Sequence, residues 1–72
     1  MDKNEIGLNA GKVWRLLNNN ARWTYDELKS NIDLSDRDLN AAIGWLAREN
    51  KIDFEIDHGK ETLFLCVNVY IG

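Results

Sequence analysis

The hydrophobic pattern of this chain changes its period at about residue 51, and that change limits the folds open to it. In the N-terminal part, Ile6, Ala10, Val13 and Leu17 follow the 3.6-residue repeat of one helical face. In the C-terminal part, apolar and acidic residues alternate in steps of two, which indicates a β-strand with one buried face. The 72 residues are enough for one hydrophobic core, so we expect a single α+β domain over residues 1–72.

The first helix is predicted from Asn4 to about Asn19, where three consecutive asparagines favour a turn. Gly7 and Gly11 lie within this helix, and each costs roughly 1 kcal/mol of helix propensity relative to alanine. Two explanations stay open for this cost. Either a neighbouring backbone approaches closely at the glycines, or Gly7 marks a frayed helix start.

Two capping signals predict where the next helices begin. Thr24-x-x-Glu27 has the form of a capping box, in which the two side chains satisfy backbone N–H groups at the start of a helix. Ser35-x-x-Asp38 is a second cap, because the Ser35 hydroxyl can accept the Asp38 N–H. It predicts a third helix over residues 35–50, SDRDLNAAIGWLAREN.

A β-hairpin is predicted at the C-terminal end. The sequence Asp-His-Gly-Lys at residues 57–60 is a tight-turn signal that follows the alternating strand. The second strand is predicted from Thr62 to about Ile71. A two-residue and a four-residue loop both place the apolar residues of the first strand on the same face as Leu63 and Leu65, so the loop length stays open.

Residues 22–52, RWTYDELKSNIDLSDRDLNAAIGWLARENKI, resemble the core of a winged helix-turn-helix domain. Such domains combine a Thr-x-x-Glu-Leu helix start, a hydrophobic turn and a Ser-capped third helix that ends in Leu-x-x-x-x-Lys-Ile. More narrowly, residues 10–17 and 42–49 look like a small stand-alone prokaryotic winged-helix family of unknown function. The resemblance implies a three-helix core, a short strand near residues 22–24 and a β-hairpin wing. It implies no activity, since the superfamily includes both DNA regulators and protein-docking modules.

The charge balance counts against nucleic acid as the partner. The net charge is −3, whereas affinity for phosphate rests mainly on Lys and Arg. Residues 1–23 carry four basic and two acidic groups, while residues 35–50 carry a net charge of −1 and residues 51–72 of −2. The positive charge therefore precedes the predicted recognition helix. The basic residues of the N-terminal part could also meet nucleic acid, but such scattered charges are usually a solvated face: Lys3, Lys12, Arg15 and Arg22.

Catalysis and cofactor binding are not expected. His58 and Cys66 are the only histidine and cysteine, so a Cys/His zinc site cannot form, and no Gly-rich phosphate loop is present. A lone cysteine fits a reducing compartment, and no apolar run is long enough to cross a membrane. We expect a cytoplasmic protein that is not an enzyme, with no metal, no cofactor, no small-molecule substrate and no membrane contact.

A DNA-binding role would use the third helix (35–50) and the wing (57–61). The residues that could contact DNA are Arg37, Asn40, Ala41, Gly44, Arg48, Lys51, His58 and Lys60. Asp36 and Asp38 oppose this role, because they stand at the helix end that would enter the groove and would repel phosphate. The same aspartates favour the positive end of a helix dipole, so capping explains them equally well.

A protein-docking role would use small residues beside a tryptophan. Ala41 and Gly44 form a strip on the third helix next to Trp45. Small residues admit another helix closely, and tryptophan is enriched in interfaces. Two positions stay open for Trp45, which either packs in the core against the first helix or lies in an interface.

A second docking surface is predicted on the outer face of the hairpin. Phe64, Cys66 and Tyr70 share the strand face on which the first strand carries its acids. Either a partner or another element covers this face, or Phe64 is simply left exposed. The sequence thus favours a non-catalytic module that acts through protein–protein contacts, with a homodimer or another protein as the assembly. A DNA-binding transcriptional regulator is the alternative.

Overall fold

The computed structural model describes residues 2–18 and 22–66. Within these ranges the chain forms α1 (Lys3–Leu16), β1 (Trp23–Thr24), α2 (Tyr25–Asn31), α3 (Asp36–Arg48), β2 (Ile52–Asp57) and β3 (Lys60–Leu65). Three helices and a three-stranded antiparallel sheet make an α+β fold, as the sequence predicts, and the short strand near residues 22–24 is confirmed. No helix in the described ranges is long and apolar enough to span a bilayer.

α1 begins at a capping box that is not predicted from the sequence. The Asp2 carboxylate accepts the Glu5 N–H at 2.8 Å, and the Asp2 N–H donates to the Glu5 carboxylate at 3.3 Å. The prediction that the helix continues to about Asn19 is wrong, since the helix ends at Leu16. The Asn18 N–H donates to a carbonyl only three residues back, which closes the last turn, and residue 19 lies outside the described residues.

The predicted caps of α2 and α3 are confirmed. Thr24 Oγ1 accepts the Glu27 N–H at 3.2 Å, and the Thr24 N–H donates to Glu27 Oε1 at 2.8 Å. The hydrogen bond from the Thr24 N–H lowers the pKa of Glu27 below its ordinary value, because it stabilises the carboxylate form. Ser35 Oγ accepts the Asp38 N–H at 3.1 Å and begins α3. Both helices therefore start where local side-chain chemistry satisfies the first free N–H groups.

The hairpin closes through a two-residue loop, which decides between the two predicted loop lengths. Asp57 pairs with Lys60 at the end of the β2–β3 ladder. His58 and Gly59 have φ angles of 52° and 80°, and two successive residues with positive φ are typical of a type I′ turn. β3 lies in the centre of the sheet, in the order β1–β3–β2. The continuation of the strand that is predicted over residues 67–71 lies outside the described residues.

Only the base of the hairpin is buried. Ile52 and Leu63 are 4% and 3% exposed, and the register that pairs Phe54 with Leu63 confirms the predicted common face. Further along the same face, Phe54 and Ile56 are 39% and 66% exposed. The prediction that all of this face is buried is therefore wrong. The helices cover only the base of the hairpin, and the tip extends past them as a wing.

The core lies where α1, α2 and α3 meet the base of the hairpin. Its buried apolar residues are Ala10, Val13, Leu17, Leu28, Leu39, Ala42, Leu46, Ile52 and Leu63. On α3 the buried face consists of Leu39, Ala42 and Leu46, and Ile43 beside it is only partly buried. The residues at the edge of that face, including Trp45, remain at the surface.

We expect Thr24→Ala to lower the free energy of unfolding by about 1 kcal/mol, because alanine cannot accept the Glu27 N–H. Urea denaturation measures this change. Ser30→Ala is the matched control, since Ser30 is exposed on the same helix, and it should change the free energy by less than about 0.5 kcal/mol. If both substitutions lower the free energy of unfolding equally, the cap does not contribute the expected stability.

Candidate functional site

A groove of about 420 Å³ runs between α1 and α3. On the α1 side it is lined by Gly7, Gly11 and Trp14, and on the α3 side by Trp45 and Glu49. The groove forms because the buried faces of the two helices pack on each other below it. Residues on the shoulders of those faces diverge toward solvent and become its walls.

The two tryptophans in the groove are surface residues. Trp14 is 40% exposed and Trp45 is 42% exposed. Of the two positions that the sequence leaves open for Trp45, a place in the core is therefore excluded. Aromatic side chains that are half exposed beside small residues present a large apolar area, which is the usual chemistry of an interaction surface.

The glycines of α1 leave space at the surface. A Cβ atom added at Gly7 would meet no other atom within 4 Å, and one added at Gly11 would meet only the Arg15 guanidinium at 3.8 Å. The explanation that a neighbouring backbone approaches them is therefore wrong within the described residues. A frayed start is also wrong for Gly7, because α1 already begins at Lys3. Gly7 and Gly11, which cost α1 helix propensity, therefore leave a stretch of its surface without side chains.

The residues predicted to contact DNA lie mainly at the surface of α3. Arg37, Asn40, Gly44, Arg48 and Lys51 are exposed. Ala41 is partly buried, so the predicted Ala41–Gly44 strip is less open than the sequence suggests. Arg37 Nε lies 3.9 Å from Asp38 Oδ1, and this ion pair offsets the positive charge at the start of the helix. The start of α3 is therefore a mixed-charge surface.

A hydrogen bond joins α2 to the start of α3. The Tyr25 hydroxyl donates to Asp36 Oδ1 at 2.7 Å. This hydrogen bond to a carboxylate, together with partial burial and the charges of Asp36 and Asp26, raises the pKa of Tyr25 from 10.0 to about 12. The sequence gives no sign of this contact, because the partners are 11 residues apart and belong to different helices. The bond holds a negative charge at the N-terminal end of α3. That end is the one that would enter the groove of DNA.

The wing (57–61) carries a net negative charge, from Asp57 and Glu61 against Lys60. His58 is 93% exposed at the turn, as expected for a turn residue. Lys60 lies beside a shallow hollow at the start of α2, whose other charged residues are Asp26, Glu27 and Glu61. The charge of Lys60 is also the smallest of the causes that lower the pKa of Glu27, after the hydrogen bonds from Thr24.

The outer face of the hairpin is covered by Arg22. Its guanidinium carbon lies 4.2 Å from the centroid of the Phe64 ring, and its Nη1 lies 2.6 Å from Glu55 Oε1. Phe64 and Cys66 are partly buried, and Tyr70 lies outside the described residues. Of the alternatives that the sequence leaves open for Phe64, cover by another element of the chain is therefore the one observed, through a cation–π contact and an ion pair. Nothing about Phe64 then calls for a partner.

These features define the class of protein. Three helices, a short strand and a β-hairpin that extends past the core make a winged helix domain. The chain belongs to the family described as "Winged helix-turn-helix domain (DUF2582)", whose model matches residues 1–66. The resemblance that the sequence shows to a winged-helix family of unknown function is confirmed.

A solved structure supports the same fold. The chain is similar to protein BT2368 from Bacteroides thetaiotaomicron, determined in solution by NMR, with 38% sequence identity and a TM-score of 0.83. The match covers 100% of this chain and 90% of that one. No curated protein matches the chain. Function therefore has to be argued from the residues at the surface.

We expect Asp36→Asn to lower the pKa of Tyr25 from about 12 toward 10.0, because the charge of the acceptor is removed. Tyrosinate absorbance against pH measures this, in a Tyr70→Phe background that leaves one tyrosine. Asp38→Asn, in the same helical turn, is the matched control. A pKa of Tyr25 that responds equally to both substitutions would contradict the specific hydrogen bond.

The same contact has a consequence for stability. Because the folded pKa of Tyr25 lies above the unfolded value, the folded protein keeps the phenol proton where the unfolded chain loses it. The stabilising contribution is complete below pH 10.0 and is lost as the pH rises through about 12. Asp36→Asn should reduce this loss of stability between those pH values, as measured by urea denaturation.

Proposed function

We propose that this protein is a non-catalytic winged helix-turn-helix module that acts through protein–protein contacts and associates with a second copy of itself. The observation that carries the proposal is the groove between α1 and α3, which two exposed tryptophans line. Trp14 and Trp45 line this groove and are 40% and 42% exposed. Two half-exposed tryptophans that line one groove are typical of an interaction surface, and tryptophan is a frequent anchor of binding energy.

The charges of the domain support a protein partner over a polyanion. Asp36 stays bound to Tyr25 at the start of α3, and Asp38 offsets Arg37. A duplex that approached α3 would therefore meet fixed negative charge where it needs positive charge. A protein surface has no such requirement, because its partner can present either charge or apolar area.

We expect light scattering or sedimentation to show a dimer as the concentration rises from micromolar to millimolar. Trp45→Ala should weaken the dimer by roughly 30-fold in Kd, the effect of losing an interface anchor worth about 2 kcal/mol. Phe54→Ala is the matched control, because Phe54 is an aromatic residue of similar exposure, 39%, on the wing. It should leave the Kd unchanged, and circular dichroism checks that both variants fold.

Two results would count against the proposal. A strict monomer at millimolar concentration would rule out self-association. A dimer that Phe54→Ala weakens as strongly as Trp45→Ala would place the interface on the wing instead of on the α1–α3 side.

A DNA-binding transcriptional regulator is the second candidate, and one observation favours it. Arg37, Asn40 and Arg48 are exposed along the outer side of α3, and Lys51 follows directly after the helix. Arginine and asparagine are the side chains that most often read guanine and adenine in the major groove. For this candidate, the attraction between the arginines and phosphate must exceed the repulsion between phosphate and the neighbouring aspartates.

A titration with a random-sequence DNA duplex at low salt separates the two candidates, because phosphate binding is strongest there. Under our proposal the NMR resonances of α3 do not shift. Shifts at Arg37 and Arg48 that disappear as salt is added would favour the DNA regulator. Arg37→Ala would then have to weaken the binding, while Arg15→Ala on α1 serves as the control.

A further inference from the structure

We infer that the segment of residues 67–72, Val-Asn-Val-Tyr-Ile-Gly, occupies the groove between α1 and α3 of its own chain. The segment lies outside the described residues. The place where the chain enters it, its composition and the lining of the groove support this position. The docking goes beyond the proposed self-association and does not depend on it.

Cys66, the last described residue, lies beside the groove. Its N–H donates to the carbonyl of Lys51 at 2.9 Å, which continues the β2–β3 ladder past the pair of Ile52 and Leu65. Lys51 is one of the residues that line the groove. The chain therefore enters the segment from a position that is hydrogen-bonded to the groove's edge.

The described residues offer the segment no partner strand. In the register that joins Cys66 to Lys51, residue 67 would stand opposite Asn50, which has a φ of 57° and belongs to the turn between α3 and β2. On the other side of β3, β1 pairs only with Thr62 and Leu63. A chain that continues past Cys66 therefore leaves the sheet and needs cover from another element.

The composition of the segment favours apolar cover. Four of its six residues are apolar, and none carries a charged side chain. In an extended chain, Val67, Val69 and Ile71 continue the face of Leu63 and Leu65. That face packs on the helices, since Leu63 is buried and Leu65 contacts the core. An extended continuation thus turns its aliphatic side chains toward the helices.

The groove offers an apolar surface for these side chains. Its floor contains the buried Ala10 and Leu46, and the half-exposed Trp14 and Trp45 form part of its walls. The charged groups that line it are Arg15, Glu49 and Lys51. Because the segment is uncharged, it can cover the floor without taking an ionised group out of water.

The dimensions of the groove also suit an extended segment. Gly7 and Gly11 leave one wall without side chains, so a main chain can approach α1 there. The groove follows α1 from Gly7 to Arg15, which at about 1.5 Å per residue is roughly 12 Å. Six extended residues reach about 20 Å at about 3.3 Å each. The segment is therefore long enough to cross the groove from its edge at Lys51.

The covalent connection favours this occupant over a second copy at low concentration. A tethered segment reaches the groove in an intramolecular step, with an effective concentration in the millimolar range for a short flexible connection. A second copy has to displace it. The segment therefore limits self-association through the groove, because the apparent Kd of the dimer rises as the fraction of open grooves falls.

Nuclear Overhauser effects (NOEs) test the docking directly. In the full chain labelled with ¹³C, the methyl groups of Val69 and Ile71 should show NOEs to the indole protons of Trp14 or Trp45. A mixture of labelled and unlabelled copies, with isotope filtering, separates contacts within one copy from contacts between copies. The expected NOEs lie within one copy and persist on dilution.

Tryptophan quenching provides a second measurement. A Trp23→Phe background leaves only the two groove tryptophans to emit. Val69→Ser with Ile71→Ser should raise the acrylamide quenching constant about twofold at micromolar concentration, because the groove loses its cover. Phe54→Ser with Ile56→Ser is the matched control, since it removes apolar side chains from the wing. It should leave the constant unchanged, and circular dichroism checks the fold of each variant.

Three results would overturn the docking. Methyl groups without an NOE to either tryptophan would do so, and so would quenching that rises equally in both double variants. NOEs that appear only between copies would assign the groove to the segment of a second copy.

The dimer separates this docking from the proposed function. If self-association uses the groove, Val69→Ser with Ile71→Ser should lower the Kd of the dimer by about tenfold, the effect of opening a groove that is free about a tenth of the time. A strict monomer with NOEs within one copy would overturn self-association and support the docking. A dimer without these NOEs would overturn the docking and support self-association.

Discussion

The packing of α1 against α3 is the contact on which the rest of the structure depends. Val13 of α1, Leu17 at its C-cap and Leu39 of α3 are completely buried, and the base of the hairpin completes the same core. In a domain of this size one core must supply most of the favourable free energy of folding. Because the two helices bury their apolar faces on each other, the tryptophans on their shoulders are left in a shared groove.

The acidic residues mostly act within the fold. Glu27 caps α2, Glu55 holds Arg22 over Phe64, and Asp36 accepts the Tyr25 hydroxyl. These contacts stabilise local geometry, and they also fix negative charge at the start of α3. Membership of the family establishes the fold. The partner has to be inferred from the chemistry of the surface.

Exposed apolar side chains lie on α1 and on the wing, and the two surfaces differ in the charges beside them. The wing also exposes Phe54 and Ile56, but it carries acids on its other face, and β2 lies at the edge of the sheet. Two copies of that strand paired antiparallel would set acids near acids, which destabilises a sheet. α1 instead carries an acidic residue in its first turn and a basic residue in its last, the order that the helix dipole favours.

The sequence by itself determines what depends on residues close together in the chain. The caps at Thr24 and Ser35 and the order of helices and strands follow from it, because hydrogen bonds and periodicity act within a few positions. Most of the candidate surface could not be predicted. The exposure of Trp45 and the cover of Phe64 by Arg22 depend on how distant elements pack. Only the tertiary structure decides them, since burial and charge pairing are set by neighbours in space and not in sequence.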